Sequence, residues 1–498
     1  MELGGGGESA TKRARLSSDD AAAAAGEDRL SALPSDVLVL ILLKLSTRAA
    51  AWTSVLSRSW RQVWALLPTL SFDETADPGQ LRDALDGHEV SVRSLLVGAD
   101  GAAAESLGVW LPAAARRVSG DLSLYSYARV EEDEDDETPQ SGIFVLPCFE
   151  KATSITLFLS FHGVAVPRAG VFARLAELHL HRVWFHGPGE LGDAVSTPRC
   201  PCLQRLTVDD ARGLADLNLA IRSETLLEVE LRNLCTLSRL TVAAPALKEL
   251  AVVLCFGKNR PVANISAPRL TNLDWGDEYD PSSVHFGKME HLRSLSTNSY
   301  LVYANYAFIH NHFWLSLLQR FEGIQTLSLM LMYLRDIENY QYMMEYLTVL
   351  PDITFLRLRI VANGHAFEAS AFHILRLCTG IRRLMLQFGL EVRTVCSSDC
   401  ICDQQPADWE TEELLLNHLE EVEITGWTGS EHEVAFMKRL FNWGARLKEI
   451  TVNFCFTTSE IKAKELYQIF QSFCRSGICT KFYLYQKKRG KVLYAPDH

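Results

Sequence analysis

Leu203-Gln204-Arg205-Leu206-Thr207-Val208, Leu226-Leu227-Glu228-Val229-Glu230-Leu231 and Leu247-Lys248-Glu249-Leu250-Ala251-Val252 are copies of one phrase, L-x-x-L-x-L in outline. Its last two apolar positions are two residues apart, the period at which side chains of a strand return to the same face. So short a strand buries one row of side chains and cannot do so alone, so copies at intervals predict units that stack on one another. The phrase recurs from Leu175, Leu270, Ile324, Ile353, Ile381, Leu419 and Leu447, with a partial copy at Leu292. Successive starts lie 28, 23, 21, 23, 22, 32, 29, 28, 38 and 28 residues apart. A further copy at Leu237 follows Leu226 by only 11 residues, too few for a full turn, and is read as a strand on the convex side. Stretches around Val92, Leu122 and Ile155 are read as degenerate first turns.

These steps bracket and sometimes exceed the period of leucine-rich repeats. The predicted fold is therefore α/β: an irregular solenoid over residues 90–400, shaped as a horseshoe with parallel strands on its concave face. With the Leu rows inward, alternate strand positions face the concave surface. Those expected to meet a target are His179, His181, Arg205, Glu228, Glu230, Arg357, Arg359 and Arg383, acidic near Leu226 and basic near Ile353 and Ile381. Glu131 to Glu137 is an unbroken acidic run, predicted to form a solvated loop over 131–140.

Ahead of the array the pattern is different. Leu38, Ile41, Leu42 and Leu45 follow the helical i, i+3, i+4, i+7 rule, with Pro34 placed where a first turn tolerates a missing N–H. A second helix runs through Ala49, Ala50, Trp52 and Val55. A third sets Trp60, Val63, Trp64 and Leu67 on one stripe and stops at Pro68. Three short helices bury little by themselves, which points to a partner. Residues 1–27, rich in Gly, Ser and Ala, predict a disordered leader, and 486–498 a tail.

Composition narrows the function. Against 61 acidic residues stand 49 Lys and Arg, a net charge of -12, so no overall field attracts nucleic acid or anionic lipid. No stretch reaches the roughly 20 apolar residues of a membrane span, and no signal peptide is visible, so a nuclear or cytoplasmic setting is expected, with the 12 cysteines as free thiols. Lys12-Arg13-Ala14-Arg15 is a minimal basic cluster. Cys396-x3-Cys400-x-Cys402, with His418 downstream, lacks the C-x2-C pairs of common zinc sites and is read as free thiols in a loop. Cys200-Pro201-Cys202 is weaker still, and His179 and His181, on one strand face, are read as surface residues and not metal ligands. With no phosphate loop, nucleophile elbow or H-E-x-x-H helix, no catalytic residue, metal or cofactor is assigned.

The N-terminal block, 28–70, resembles the F-box of plant F-box proteins with leucine-rich repeats. The likeness is carried by Asp28-Arg29-Leu30-Ser31-Ala32-Leu33-Pro34-Ser35-Asp36-Val37-Leu38, Ile41-Leu42, Thr53-Ser54-Val55-Leu56-Ser57-Arg58, Trp60-Arg61 and Trp64 to Pro68. Ser59 and Ser46 depart from it, where a basic residue and a proline often stand. Cys400-Ile401-Cys402-Asp403, Trp409, Thr411 to Leu414, Leu419 to Ile424 and Glu431 to Phe436 resemble the FBD-type region of the same family, here 401–485. The resemblance implies a substrate receptor, not an enzyme. Its F-box binds a Skp-type adaptor and through it cullin and RING proteins, and its repeats hold a target protein whose identity stays open. Carried over, Leu33, Pro34, Val37, Leu38, Ile41, Leu42 and Leu45 supply the adaptor contact, and Val55, Leu56, Trp60 and Trp64 are shared between that contact and the small core. The alternative is a repeat scaffold that acts without ubiquitin transfer.

Overall fold

A computed structural model describes residues 30, 33–72, 77–99, 103–126, 142–167, 169–185, 190–213, 218–257, 260–305, 310–337, 340–389, 400–406, 408–455, 457–475, 477–486 and 490–494. The glycine-rich leader, the acidic run and Cys396 fall outside them, as does most of the C-terminal tail.

Three helices come first: α1 (Ser35–Leu42), α2 (Thr47–Thr53) and α3 (Arg58–Trp64). Each of the last two is opened by a serine, Ser46 accepting from the Ala49 N–H and Ser57 from the Trp60 N–H, both at 3.3 Å. Such caps satisfy donors that a helix of two turns has no other means to satisfy. The chain then enters β1 (Thr69–Phe72), which pairs in parallel with β2 (Val92–Gly98), itself paired with β3 (Val118–Tyr125).

From β1 the main sheet continues as a parallel ladder to the strand Cys479–Gln486, closed by one antiparallel strand, Gly490–Leu493. One row runs through it in unbroken register: Leu70, Leu95, Leu122, Ile155, Leu178, Leu206, Val229, Leu250, Leu273, Leu295, Leu327, Leu356, Leu384, Val422 and Ile450. None of these is more than 7% exposed. The Val92, Leu122 and Ile155 stretches are thus full members of the sheet.

Repeat length decides what covers the back of this sheet. Where strands start 21 to 23 residues apart, between Arg205 and Ser294, the return is too short for a helix. It is instead a second parallel sheet of four strands, Asn218–Arg222, Arg239–Ala243, Ala263–Ser266 and Val284–Phe286. The early copy at Leu237 supplies one of them, with Leu240 and Val242 fully buried. Several longer steps return through helices: His310–Arg320, Glu368–Leu377, Glu431–Trp443 and Glu460–Gln471.

The entry to helix Glu431–Trp443 is held by Glu433, 2% exposed. Its carboxylate accepts from the Thr428 N–H at 2.9 Å, the Thr428 hydroxyl at 3.0 Å and the Gly429 N–H at 2.8 Å. Glu433→Ala leaves those donors unpaired and is expected to cost about 1–3 kcal/mol of stability, read from urea midpoints, with Glu433→Gln retaining part of it.

The sheet is strongly curved. His179 and Arg357 lie seven strand steps apart, about 34 Å on a flat sheet at ~4.8 Å per step. Both nevertheless line one hollow of about 420 Å³. This is the concave face of a leucine-rich repeat horseshoe.

Candidate functional site

Helix α1 contains Val37-Leu38-Val39-Leu40-Ile41-Leu42 and is followed by Leu43, an unbroken aliphatic run. A helix apolar all round demands cover all round. Its inner side finds that cover within the chain. Leu38 and Leu42, 2% and 1% exposed, belong to the same buried core as Ala50, Val63 and Leu67. These two residues are therefore core, a correction to their placement on the adaptor contact: the i, i+4 pair faces inward, and its neighbours by one position do not. Trp60 and Trp64 are half-buried against that core, with Trp64 edge-on to His88 at 5.2 Å. Burial holds the His88 imidazole below its ordinary pKa.

The outer side is bare. Leu33, Pro34, Val37, Ile41 and Leu45 are exposed, as are Val55 and Leu56 after α2 at 79% and 72%. The sequence reading missed Leu40, at 62%, and Leu43; Trp52, placed only within the second helix, is 66% exposed, with the Arg48 guanidinium 5.4 Å from its ring. The signal was the uninterrupted aliphatic run itself, which one small bundle cannot bury on every side. These exposed apolar residues all fall within residues 33–56, among exposed Asp36, Lys44 and Arg48, and large apolar side chains left uncovered at this density mark an interaction surface.

This bundle is fastened to the repeats. The Ser71 N–H donates to the Thr47 hydroxyl at 2.7 Å, the Glu89 N–H to the Ala65 carbonyl at 3.2 Å and the Arg93 N–H to the Pro68 carbonyl at 2.7 Å. With β1 paired to β2, the ridge and the solenoid share one hydrogen-bonded framework.

On the concave face most of the predicted charges are already engaged with one another. Arg205 pairs with Glu177 across neighbouring strands. Arg232 reaches Glu230 at 2.5 Å and Asp274 at 2.9 Å, and Asp274, raised in pKa by burial, is held back by that guanidinium. Arg383 lies 3.7 Å from Glu421 and 3.2 Å from Glu423. His181 faces Asp209 at 3.6 Å. His179 stands 3.5 Å from Glu177, but burial lowers its pKa against the pull of Glu230, so at neutral pH the ring is uncharged and this is no ion pair. Glu228 is exposed in the same hollow. Arg357 and Arg359 differ: both are exposed, and among the described residues no carboxylate pairs with either. Arg357 lies 4.6 Å from the Phe355 ring.

Cys200, buried, has its thiol pushed up to about 12 by that burial, so it is inert at neutral pH. His418 is exposed and stands outside the buried thiols, whereas His365, from the preceding repeat, lies among them. That association has no trace in sequence spacing.

Helical bundle and horseshoe together define an F-box protein with leucine-rich repeats, and comparison with known proteins agrees. The F-box domain model matches residues 30–71, and a model described as "FBD-associated F-box protein At5g56370, LRR repeats" matches 107–290. The putative F-box/FBD/LRR-repeat protein At4g03220 of Arabidopsis thaliana is 26% identical over 460 residues, 86% of this chain and 89% of the relative. The putative F-box/FBD/LRR-repeat protein At3g49030 of the same plant is 29% identical over 264 residues, 50% of this chain and 53% of that one. The chain is thus similar to plant F-box/FBD/LRR-repeat proteins, with an F-box at 30–71 and a leucine-rich repeat region at 107–290. Among the described residues no helix is long and apolar enough to cross a membrane.

Proposed function

We propose that this protein is the substrate-recognition subunit of an SCF-type cullin-RING ubiquitin ligase, acting in the nucleus, the cytoplasm or both. The outer face of α1, with Leu33, Pro34, Leu40, Leu43, Leu45, Val55 and Leu56, docks a Skp-type adaptor, which links the chain to cullin and RING proteins. The concave face holds the protein to be modified. The reading is carried by the bare outer side of an all-apolar helix in a matched F-box: desolvating that side against a partner is the strongest driving force available to so small a bundle. The hydrogen-bonded link from bundle to solenoid supports a fixed distance between adaptor and target, the geometry that transfer to one lysine requires. The chain itself supplies binding and orientation, and the chemistry belongs to its partners.

The test is reconstitution. Full-length protein mixed with purified Skp-type adaptor, cullin and RING subunits should co-elute as one complex, and ubiquitin chains should form on a captured target. Failure to bind the adaptor overturns the reading. Binding of the adaptor without ubiquitin transfer to any captured protein favours the scaffold alternative.

For the target, the free charges matter most, because a charge already paired at home gains little from a new partner. Arg357→Glu combined with Arg359→Glu is expected to weaken target capture about tenfold or more. Proximity labelling under proteasome inhibition reads this as loss of the proteins enriched by wild type, with adaptor recovery unchanged. An unaltered profile would move the target site off this part of the arc.

A further inference from the structure

We propose that His365, Cys400 and Cys402 form a zinc site that staples the long step before the last three parallel strands to the body of the solenoid. All three residues are buried, and their ligand atoms lie within 4.8 Å of one another. They come from two segments, the turn after strand Phe355–Val361 and, 35 residues on, Cys400 with the 3₁₀ segment Ile401–Gln404 that it caps.

The histidine is set up as a ligand. Asn363 and Gly364 both take positive φ, 50° and 87°, which turns the chain sharply and sends His365 back under Tyr333. The turn is fixed by the Asn363 side-chain amide donating to the Tyr333 carbonyl at 2.7 Å. His365 Nε2 lies 3.0 Å from the Leu334 carbonyl oxygen. A carbonyl only accepts, so this contact is a hydrogen bond when Nε2 carries a proton, and in that neutral tautomer Nδ1 keeps its lone pair. That lone pair faces Cys400 Sγ at 3.5 Å. An outer nitrogen donating to a backbone carbonyl is the arrangement that orients histidines bound to metals.

The distances also suit the ion. A tetrahedron with Zn–S of about 2.3 Å and Zn–N of about 2.0 Å has a sulfur-to-nitrogen edge of about 3.5 Å. The Cys400 to His365 separation already matches it, and the widest separation closes with shifts on the order of 1 Å. Two thiolates and an imidazole are soft donors that select zinc over magnesium or calcium. Each cysteine gives up its proton on binding, and the two negative charges so formed cancel the charge of the ion, leaving a neutral unit compatible with burial. Among the described residues no fourth side chain joins the group, so one position is left to water or another donor.

The place in the fold gives the site a purpose. The step from Arg383 to Glu421 is the longest in the C-terminal half; beside the proposed site Gln405 Nε2 donates to the Ala366 carbonyl at 2.8 Å and the Tyr303 hydroxyl to the Ile401 carbonyl at 3.4 Å, and further along Arg439 donates to the Trp409 and Glu412 carbonyls. Metal binding would join that segment to the repeat carrying His365.

The experiment is metal analysis of the full chain, purified without chelator. Wild type and the exposed control Cys202→Ser should carry about one zinc per chain, and Cys400→Ser, Cys402→Ser and His365→Gln at most about a tenth of that. A second reading needs no variant: wild type stripped and reloaded with cobalt should show an intense thiolate-to-metal charge-transfer band with the visible spectrum of tetrahedral cobalt. Release of the metal should make two more thiols reactive. The proposal is overturned if zinc-saturated wild type retains less than about a tenth of an equivalent after gel filtration, if cobalt shows no thiolate band, or if mass spectrometry finds Cys400 and Cys402 joined as a disulfide.

Discussion

Val37→Glu combined with Ile41→Glu is expected to abolish adaptor capture, a loss of about 100-fold or more, while the chain stays folded. Both residues sit on the outer side of α1, at 38% and 36% exposure, with most of their uncovered surface apolar. In the free protein the new carboxylates reach water, and because both side chains are partly covered the pair is expected to cost about 1–2 kcal/mol, which leaves the chain folded. Glutamate is also a good helix former. In the complex the same carboxylates would be stripped of water against an apolar partner surface with no cation assigned to meet them, and burying an unpaired charge is heavily unfavourable. Leu38→Ala is the contrasting control. At 2% exposure it should destabilise the bundle by about 2–5 kcal/mol through the cavity it leaves. It should weaken capture only to the extent that α1 unfolds. Calorimetry on purified proteins measures both quantities. Unchanged adaptor affinity in the double variant, with the fold intact, would refute the ridge as the docking surface.

Trp427→Ala should give the largest loss of stability, about 3–5 kcal/mol, whereas Trp427→Phe should cost far less. Trp427 is fully buried and meets Phe470 edge-on at 5.8 Å, with Phe388 and Phe473 each at 6.5 Å. It reaches that position because Gly426, at φ 80°, breaks the strand register between Thr425 and Trp427. A Cβ at Gly426 would meet the Phe388 carbonyl oxygen, so the bulge depends on glycine. Removing the indole empties an aromatic cluster that joins three repeats. Yet its Nε1–H is buried with no acceptor among the described residues. Phenylalanine keeps much of the ring contact and removes an unpaired donor, a gain of about 1–3 kcal/mol that offsets the smaller cavity. Urea midpoints of the two variants test this. Equal losses would mean that the N–H finds a partner.

Much of the fold was legible because burial in a repeat array is periodic. The apolar row from Leu175 to Leu447 could be read residue by residue, since each strand must present the same side to its neighbour, and it reappears as the ladder of the main sheet. The second sheet was only half visible. Its strand at Leu240 announced itself as an early copy; the phrase from Leu214 that leads into Asn218–Arg222 was passed over, and Val284–Phe286 is too short to carry a pattern.

The linear order of residues was enough to establish an α/β solenoid behind a small helical block, because local periodicity and capping act over a few residues and need no knowledge of distant ones. Which way each side chain of α1 turns was another matter: an all-aliphatic helix has no polar face to mark its outside, and only packing on α3 sends Leu38 and Leu42 inward. The same holds for charge and for chemistry. Arg383 and Arg357 look alike in a list, but curvature and register hand one of them acidic neighbours and leave the other without. His365 meets Cys400 because two loops from different repeats close on each other, and that closure is a property of the assembled chain.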